Sequence, residues 1–302
     1  MATHLSPELL IVMAPSATPD QTEHVVARLG EAGVAARVSR GRETTVIDVD
    51  GHRLGDTWFG LIAGPCSVEY REQTLETARA VAAAGATMLR GGAFKPRTSP
   101  YTFQGLGVDA LAILREAREE TGLPIVTELM DPRHVEEVLD AADVIQIGAR
   151  NSQNFLLLAE VGRADKPVLL KRGLSTSVEE LLMAAEYVAK EGNERIILCE
   201  RGIKTFEQST RFTLDPASVA VLKTETHLPV IVDPSHAAGR RDLVLPLARA
   251  AAAVGADGII VETHPRPEEA LSDAAQQIPV DEFPAFASEV SAIVSLMGKE
   301  IG

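Results

Sequence analysis

Cysteine is scarce in this chain. Cys66 and Cys199 are the two thiols among 302 residues, too few for a disulfide framework, and they fit a reducing compartment. Positive charge is in deficit: 29 Lys and Arg stand against 43 Asp and Glu, a formal net charge of −14. Nucleic acid and anionic membranes are therefore poor partners. No uncharged apolar run reaches the ~18 residues of a membrane-spanning helix. The opening residues, Met1-Ala2-Thr3-His4-Leu5-Ser6-Pro7, carry no basic stretch leading into an apolar core, so no secretory leader is expected. These deficits lead to the expectation of a cytoplasmic protein with no nucleic acid and no membrane among its partners. What is present is ordinary for a globular chain, 45% hydrophobic and 24% charged. The length suits one large domain, or one large and one small.

The first fifty residues read as a β-α-β-β unit. Strands are expected at 9–13, 35–39 and 44–49, and a helix at 21–32 with Val25, Leu29 and Ala32 on one face. Asp50-Gly51-His52 reads as a boundary, which gives domains at 1–52 and 53–302. From Gly60 onward the pattern alternates strictly. Strand-like runs fall at 61–63, 86–89, 124–127, 144–147, 167–170, 195–198, 228–232 and 258–261. Helical segments follow at 71–84, 108–121, 132–141, 153–161, 178–191, 216–226, 243–254 and 282–297. Eight such repeats predict an α/β protein with a (β/α)8 TIM barrel, which takes about 250 residues. The rival, an open doubly wound sheet, is disfavoured because no GxGxxG follows the first strand.

Polar residues recur at the C-terminal end of every strand-like run, where barrel enzymes place their sites. In order these are Cys66 and Glu69; Arg90 and Lys95; Glu128; Gln146, Ala149, Arg150 and Asn151; Lys171 and Arg172; Glu200 and Arg201; Asp233 and His236; Glu262 and His264. One charged residue ending a strand is an ordinary solvated rim, but all eight ends carry such groups. A cationic set, Arg90, Lys95, Arg97, Arg150, Lys171 and Arg201, is more than one phosphate needs. It suits two phosphorylated substrates, or one phosphate with a carboxylate. A second set, Cys66, His236, Glu262 and Asp273, comes from the first, seventh and eighth repeats. In a closed barrel the eighth strand lies beside the first, so these four become neighbours. One thiolate, one imidazole and two carboxylates suit one divalent first-row ion, manganese before iron, cobalt or zinc. Cys199 reads as a core thiol, Trp58 as a packing residue at the floor or N-terminal unit, and His4, His24, His52, His134 and His227 receive no role.

The stretches Gly64-Pro65-Cys66-Ser67-Val68-Glu69, residues 90–107, Gln146-Ile147-Gly148-Ala149-Arg150-Asn151, Leu170-Lys171-Arg172-Gly173, Cys199-Glu200-Arg201-Gly202, Asp233-Pro234-Ser235-His236 and Glu262-Thr263-His264-Pro265 follow one another in order, with Ala270-Leu271-Ser272-Asp273 last. Together they resemble the 3-deoxy-D-arabino-heptulosonate 7-phosphate (DAHP) synthases of the type I, short (beta) class. The resemblance implies a metal-dependent condensation of phosphoenolpyruvate with D-erythrose 4-phosphate, giving DAHP and phosphate, the first step of the shikimate pathway. By resemblance, Cys66, His236, Glu262 and Asp273 hold the metal. Arg90, Lys95, Ala149, Arg150, Lys171 and Arg201 bind phosphoenolpyruvate. Arg97, Thr98 and Asp233 bind erythrose 4-phosphate, and Lys95, Cys66 and His236 sit at the chemistry.

The alternative in the same fold is 3-deoxy-manno-octulosonate 8-phosphate synthase, which resembles this chain at Gly64-Pro65-Cys66. That family carries a KANRS-type loop where this chain reads Lys95-Pro96-Arg97-Thr98-Ser99, which favours the four-carbon sugar. A Schiff-base aldolase using Lys171 and a non-catalytic metabolite-binding regulator are further alternatives. The N-terminal unit resembles a shortened ferredoxin-like domain, which puts feedback by Tyr or Phe in doubt and suggests a homo-oligomer, dimer or tetramer, that covers an open sheet edge. The residues leave a chorismate mutase partner open.

Overall fold

A computed structural model describes residues 19–31, 44–96 and 99–302. The chain divides into two compact units, Met1–Arg42 and Glu43–Gly302. In the first unit the described element is helix α1 (Pro19–Glu31), with Asp20 in its first turn and Arg28 in its last, both favourable to the helix dipole. The strands expected at 9–13 and 35–39 lie outside the described residues.

The second unit opens with a hairpin, β1 (Ile47–Val49) and β2 (His52–Leu54), paired antiparallel. Asp50 and Gly51 form its turn with φ of +52° and +88°, the positive values that a two-residue hairpin connection requires. Asp48 Oδ1 accepts the Gly51 N–H at 2.8 Å. The Asp-Gly pair that reads as a boundary signal in the sequence serves a tight turn here, and the compact units divide after Arg42.

Eight parallel strands then close on themselves: β3 (Trp58–Gly64), β4 (Met88–Arg90), β5 (Ile125–Glu128), β6 (Val144–Ile147), β7 (Val168–Lys171), β8 (Ile196–Glu200), β9 (Val230–Val232) and β10 (Gly258–His264). Closure is the β10–β3 pairing, with register from Gly258↔Gly60 to Glu262↔Gly64. The helices follow in order: α2 (Arg71–Ala83), α3 (Val108–Thr121), α4 (Val135–Ala141), α5 (Phe155–Gly162), α6 (Val178–Ala189), α7 (Pro216–Glu225), a short α8 (Pro234–Ala238), α9 (Arg241–Ala253) and α10 (Phe283–Leu296). The architecture is the TIM barrel that the alternation predicts. Two extra strands were not expected. β11 (Ile278–Pro279) extends β10 on the mouth side, and β12 (Glu300–Ile301) pairs with Trp58 and Phe59 at the floor.

Alternation along the strands builds two apolar layers. Ile62, Met88, Val126, Val144, Leu169, Ile197, Ile231 and Ile260, one from each strand, meet inside the barrel. Ile47, Val49 and Leu54 of the hairpin join that inner cluster, so the hairpin plugs the floor. Their neighbours Leu61, Leu89, Ile125, Ile145, Leu170 and Leu198 face the helices. Each such fully buried side chain contributes about 1.5–3 kcal/mol. At the closing seam a Cβ on Gly258 would lie 2.6 Å from the Gly60 carbonyl oxygen, so glycine lets the first and last strands meet.

Candidate active site

The seam brings distant parts of the chain to one corner of the mouth. Glu262 pairs in register with Gly64, and Cys66 follows two residues beyond. His236 comes from α8, whose N-cap Asp233 accepts the His236 N–H at 2.9 Å and whose end is Gly239 at φ +66°. Pro234 at the first helical position and glycine at the end confine this helix to five residues. Asp273 stands just before the turn Ala274–Gln276, at φ +50°. One ligand atom from each of Cys66, His236, Glu262 and Asp273 lies within 4.8 Å of all the others.

Their partners orient them. The His236 ring donates from Nδ1 to Asp233 Oδ2 at 2.7 Å, which directs the Nε2 lone pair to Glu262 Oε1 at 3.4 Å and Asp273 Oδ2 at 3.9 Å. Cys66 Sγ donates to Asp273 Oδ2 at 3.2 Å. Lys95 Nζ donates to Cys66 Sγ at 2.9 Å and to the Cys66 carbonyl at 3.1 Å. Arg90 bonds Glu262 Oε1 at 2.6 Å and the Cys66 carbonyl at 2.9 Å. Gln276 Nε2 holds Glu262 Oε2 at 2.6 Å. Arg211 Nη1 donates to Asp273 Oδ1 and Gln276 Oε1, each at 3.1 Å.

Burial pushes the Cys66 thiol up, and the Glu262 carboxylate adds to it against Lys95. Burial pushes His236 down, leaving a neutral imidazole able to ligate. Burial also opposes the charges on Glu262 and Asp273. Positive charge prevails: His236 in its protonated form and Arg90 hold Glu262 below the usual carboxylate range, and protonated His236 and Lys95 do the same for Asp273. A neutral nitrogen, two ionised carboxylates and a thiol that must shed one proton form a donor set that fits a divalent first-row ion.

Beside this corner lies a cavity of about 370 Å³. Arg90, Lys95, Ala149, Arg150, Lys171 and Arg201 all line it, together with His236 and Asp273. Lys171 Nζ bonds the buried Asp233 carboxylate. Burial opposes the Asp233 charge, yet His236 and Lys171 hold that carboxyl well below its usual range. Arg201 differs. It is 5% exposed, its guanidinium stacks 4.2 Å from the Phe212 ring centroid, and among the described residues no carboxylate pairs with it. Burial lowers its pKa. An incoming anion would supply the missing partner.

Arg97 and Thr98 lie outside the described residues. Their neighbours Pro96, Ser99 and Thr102 line the cavity. Arg172 and Glu200 turn away from the mouth, because side chains alternate along β7 and β8. Arg172 bonds Glu200 and Asp215 at 2.9 Å each. Arg211, Phe212 and Gln276 reach the site without having been singled out in the sequence. They stand on loops with no period to read, although a βα connection as long as 201–215 is itself a functional signal.

Residues 44–297 match the DAHP synthetase I family, and residues 9–56 match the DAHP synthase ferredoxin-like domain. The chain is 53% identical over 259 residues to a phospho-2-dehydro-3-deoxyheptonate aldolase of Thermotoga maritima, covering 86% of this chain and 77% of that one. It is 35% identical over 269 residues to a 2-dehydro-3-deoxyphosphooctonate aldolase of Syntrophotalea carbinolica, covering 81% and 96%. A crystal structure of the Thermotoga maritima aldolase (DAHP synthase) is similar at TM-score 0.84 and 53% identity, covering 86% and 76%. A truncated form of 3-deoxy-D-arabino-heptulosonate 7-phosphate synthase from the same organism matches at TM-score 0.81 and 49% identity, covering 86% and 95%.

Proposed function

We propose, because the chain belongs to the DAHP synthetase I family, that it condenses phosphoenolpyruvate with D-erythrose 4-phosphate to give DAHP and phosphate. The observation that carries this reading is that a four-donor cluster and a set of cations share one cavity. Cys66, His236, Glu262 and Asp273 hold one divalent ion, manganese first among the choices. Bound there, the ion supplies Lewis-acid polarisation of the aldehyde oxygen.

The chain's own residues do the remainder. Arg90, Arg150, Lys171, Arg201 and the backbone at Ala149 bind the phosphate and carboxylate of phosphoenolpyruvate. Arg97 and Thr98 hold the sugar phosphate, with Asp233 on the sugar. Lys95 is the proton carrier. Burial alone would discharge its amine, but Cys66 and Glu262 raise its pKa, so Nζ keeps a proton to give as C3 attacks the aldehyde. Water then adds at C2 and the phosphohemiketal loses phosphate. The reaction belongs to the shikimate pathway, which places the protein in the cytoplasm, and the assembly is a homo-oligomer.

The test is phosphate release from phosphoenolpyruvate by protein reconstituted with Mn, comparing erythrose 4-phosphate with arabinose 5-phosphate. The expected result is turnover with the four-carbon sugar, its abolition by chelator and its rescue by Mn. Faster turnover with the five-carbon sugar would assign 3-deoxy-manno-octulosonate 8-phosphate synthesis instead. No phosphate release with either sugar would leave a non-catalytic binding protein.

A further inference from the structure

Glu69 lies in the loop after the first barrel strand and His264 ends the last, yet neither lines the cavity. Both side chains are 1% exposed. His264 Nδ1 accepts the Arg266 N–H at 3.0 Å, so the ring proton sits on Nε2, which faces Glu69 Oε2 at 3.5 Å. The two face each other without a hydrogen bond, and among the described residues Nε2 is a buried donor with no hydrogen-bond partner. The other Glu69 oxygen accepts the Leu271 N–H at 2.9 Å. Next to it the Ser67 and Ser272 hydroxyls are 2.6 Å apart. Gln277 donates to the Ser272 carbonyl at 2.8 Å and accepts the Cys66 N–H at 3.3 Å. One buried polar network thus fastens the segment bearing Cys66 to the segment bearing Asp273.

We propose that Glu69 and His264 form a positioning pair that sets the separation of the Cys66 and Asp273 ligand atoms, and with it the affinity and selectivity of the site for divalent ions. The inference rests on the metal reading above. The Glu69 carboxylate is buried, and among the described residues the side chain that faces its Oε2 is the His264 imidazole rather than a Lys or Arg. Without the ring N–H dipole facing it, the buried carboxylate loses its electrostatic counterpart and the hold on Leu271 slackens. Asp273 follows two residues later, in a backbone conformation that depends on its surroundings. Thiolate and carboxylate ligands bind at about 2.0–2.3 Å, so small shifts between them are felt by the ion.

The experiment measures Mn and Co affinity by chelator competition, together with the thiolate-to-Co(II) absorption band, in wild type, His264→Leu, His264→Gln and Glu69→Gln. Partners of metal ligands typically govern affinity by about 10–100-fold, and that loss is expected for His264→Leu, with a weakened or displaced band. His264→Gln keeps an N–H near the Nε2 position and recovers most of both. KM for phosphoenolpyruvate changes by less than about twofold, because neither residue faces that side. Unchanged affinity and band in His264→Leu, even with a lowered melting temperature, would overturn the proposal and leave the pair merely structural. If His264→Leu does not fold, Glu69→Gln and His264→Gln decide: wild-type affinity in Glu69→Gln overturns it. Failure of the wild-type protein to bind either ion would sink the metal reading instead.

Discussion

The two sides of the mouth handle buried charge in opposite ways. On the seam side each charge has a protein partner: Arg90 with Glu262, Lys95 with Cys66, and Asp273 with Arg211. Farther round the rim, after β8, Arg201 rests on an aromatic ring without a carboxylate. A compensated cluster accepts a new ligand by exchange, trading protons and hydrogen bonds for the ion. An uncompensated cation binds an anion outright, because desolvation of the protein group has already occurred on folding. The two sides should therefore respond differently to the same perturbations.

The largest expected effect comes from Lys95, which touches both sides. Lys95→Met should lower kcat by about 10³-fold while metal content stays near one ion per chain. Parallel assays of turnover and bound metal check this, and equal losses of both would merge the two sides into one unit. Next comes Arg201→Leu. Removing a charge-assisted contact should raise KM for phosphoenolpyruvate by about 10–100-fold and leave Mn affinity unaltered. A Mn affinity that fell with it would erase the distinction.

The pH response sharpens the contrast. Burial and Glu262 raise the Cys66 pKa, so the ion-free site carries a thiol proton that must leave when metal enters. Metal affinity should accordingly rise with pH, by about tenfold per unit near neutrality. Sulfate, which does not titrate there, should bind the Arg201 side with a flat profile. Titration calorimetry over several pH values tests both, and a flat metal profile would contradict the thiol assignment. The smallest effect belongs to Phe212→Leu. Loss of the stacking face should raise KM for phosphoenolpyruvate by about two- to fivefold, and Phe212→Tyr should restore it.

The barrel and the ligand set were legible because each rests on a pattern that repeats. Strand runs such as residues 167–170 and 228–232 are apolar throughout because both faces are buried, and polar groups follow every run. Cys66 and Glu262 could be joined only by assuming closure, which the β10–β3 register bears out. What was illegible has local causes. The α8 helix spans five residues, too few for a helical period, so no separate helix is expected between the seventh strand and the segment at 243–254. Arg211, Phe212 and Gln276 reach the site by the path of long loops, which no periodicity encodes. Strand β10 runs to His264, three residues past the expected end, because its polar tail is buried against other polar groups rather than against apolar ones.

Closure at the β10–β3 seam also fixes an order of events in the life of the molecule. Cys66 and Asp273 are 207 positions apart in the chain, and no shorter route joins them. During synthesis the thiol leaves the ribosome long before its companions exist, and a nascent chain can offer an ion one donor at a time. The full set is gathered when the last repeat docks against the first, among the slowest contacts to form because so much chain must be brought back on itself. The four-donor cluster is thus complete only once the ring has closed.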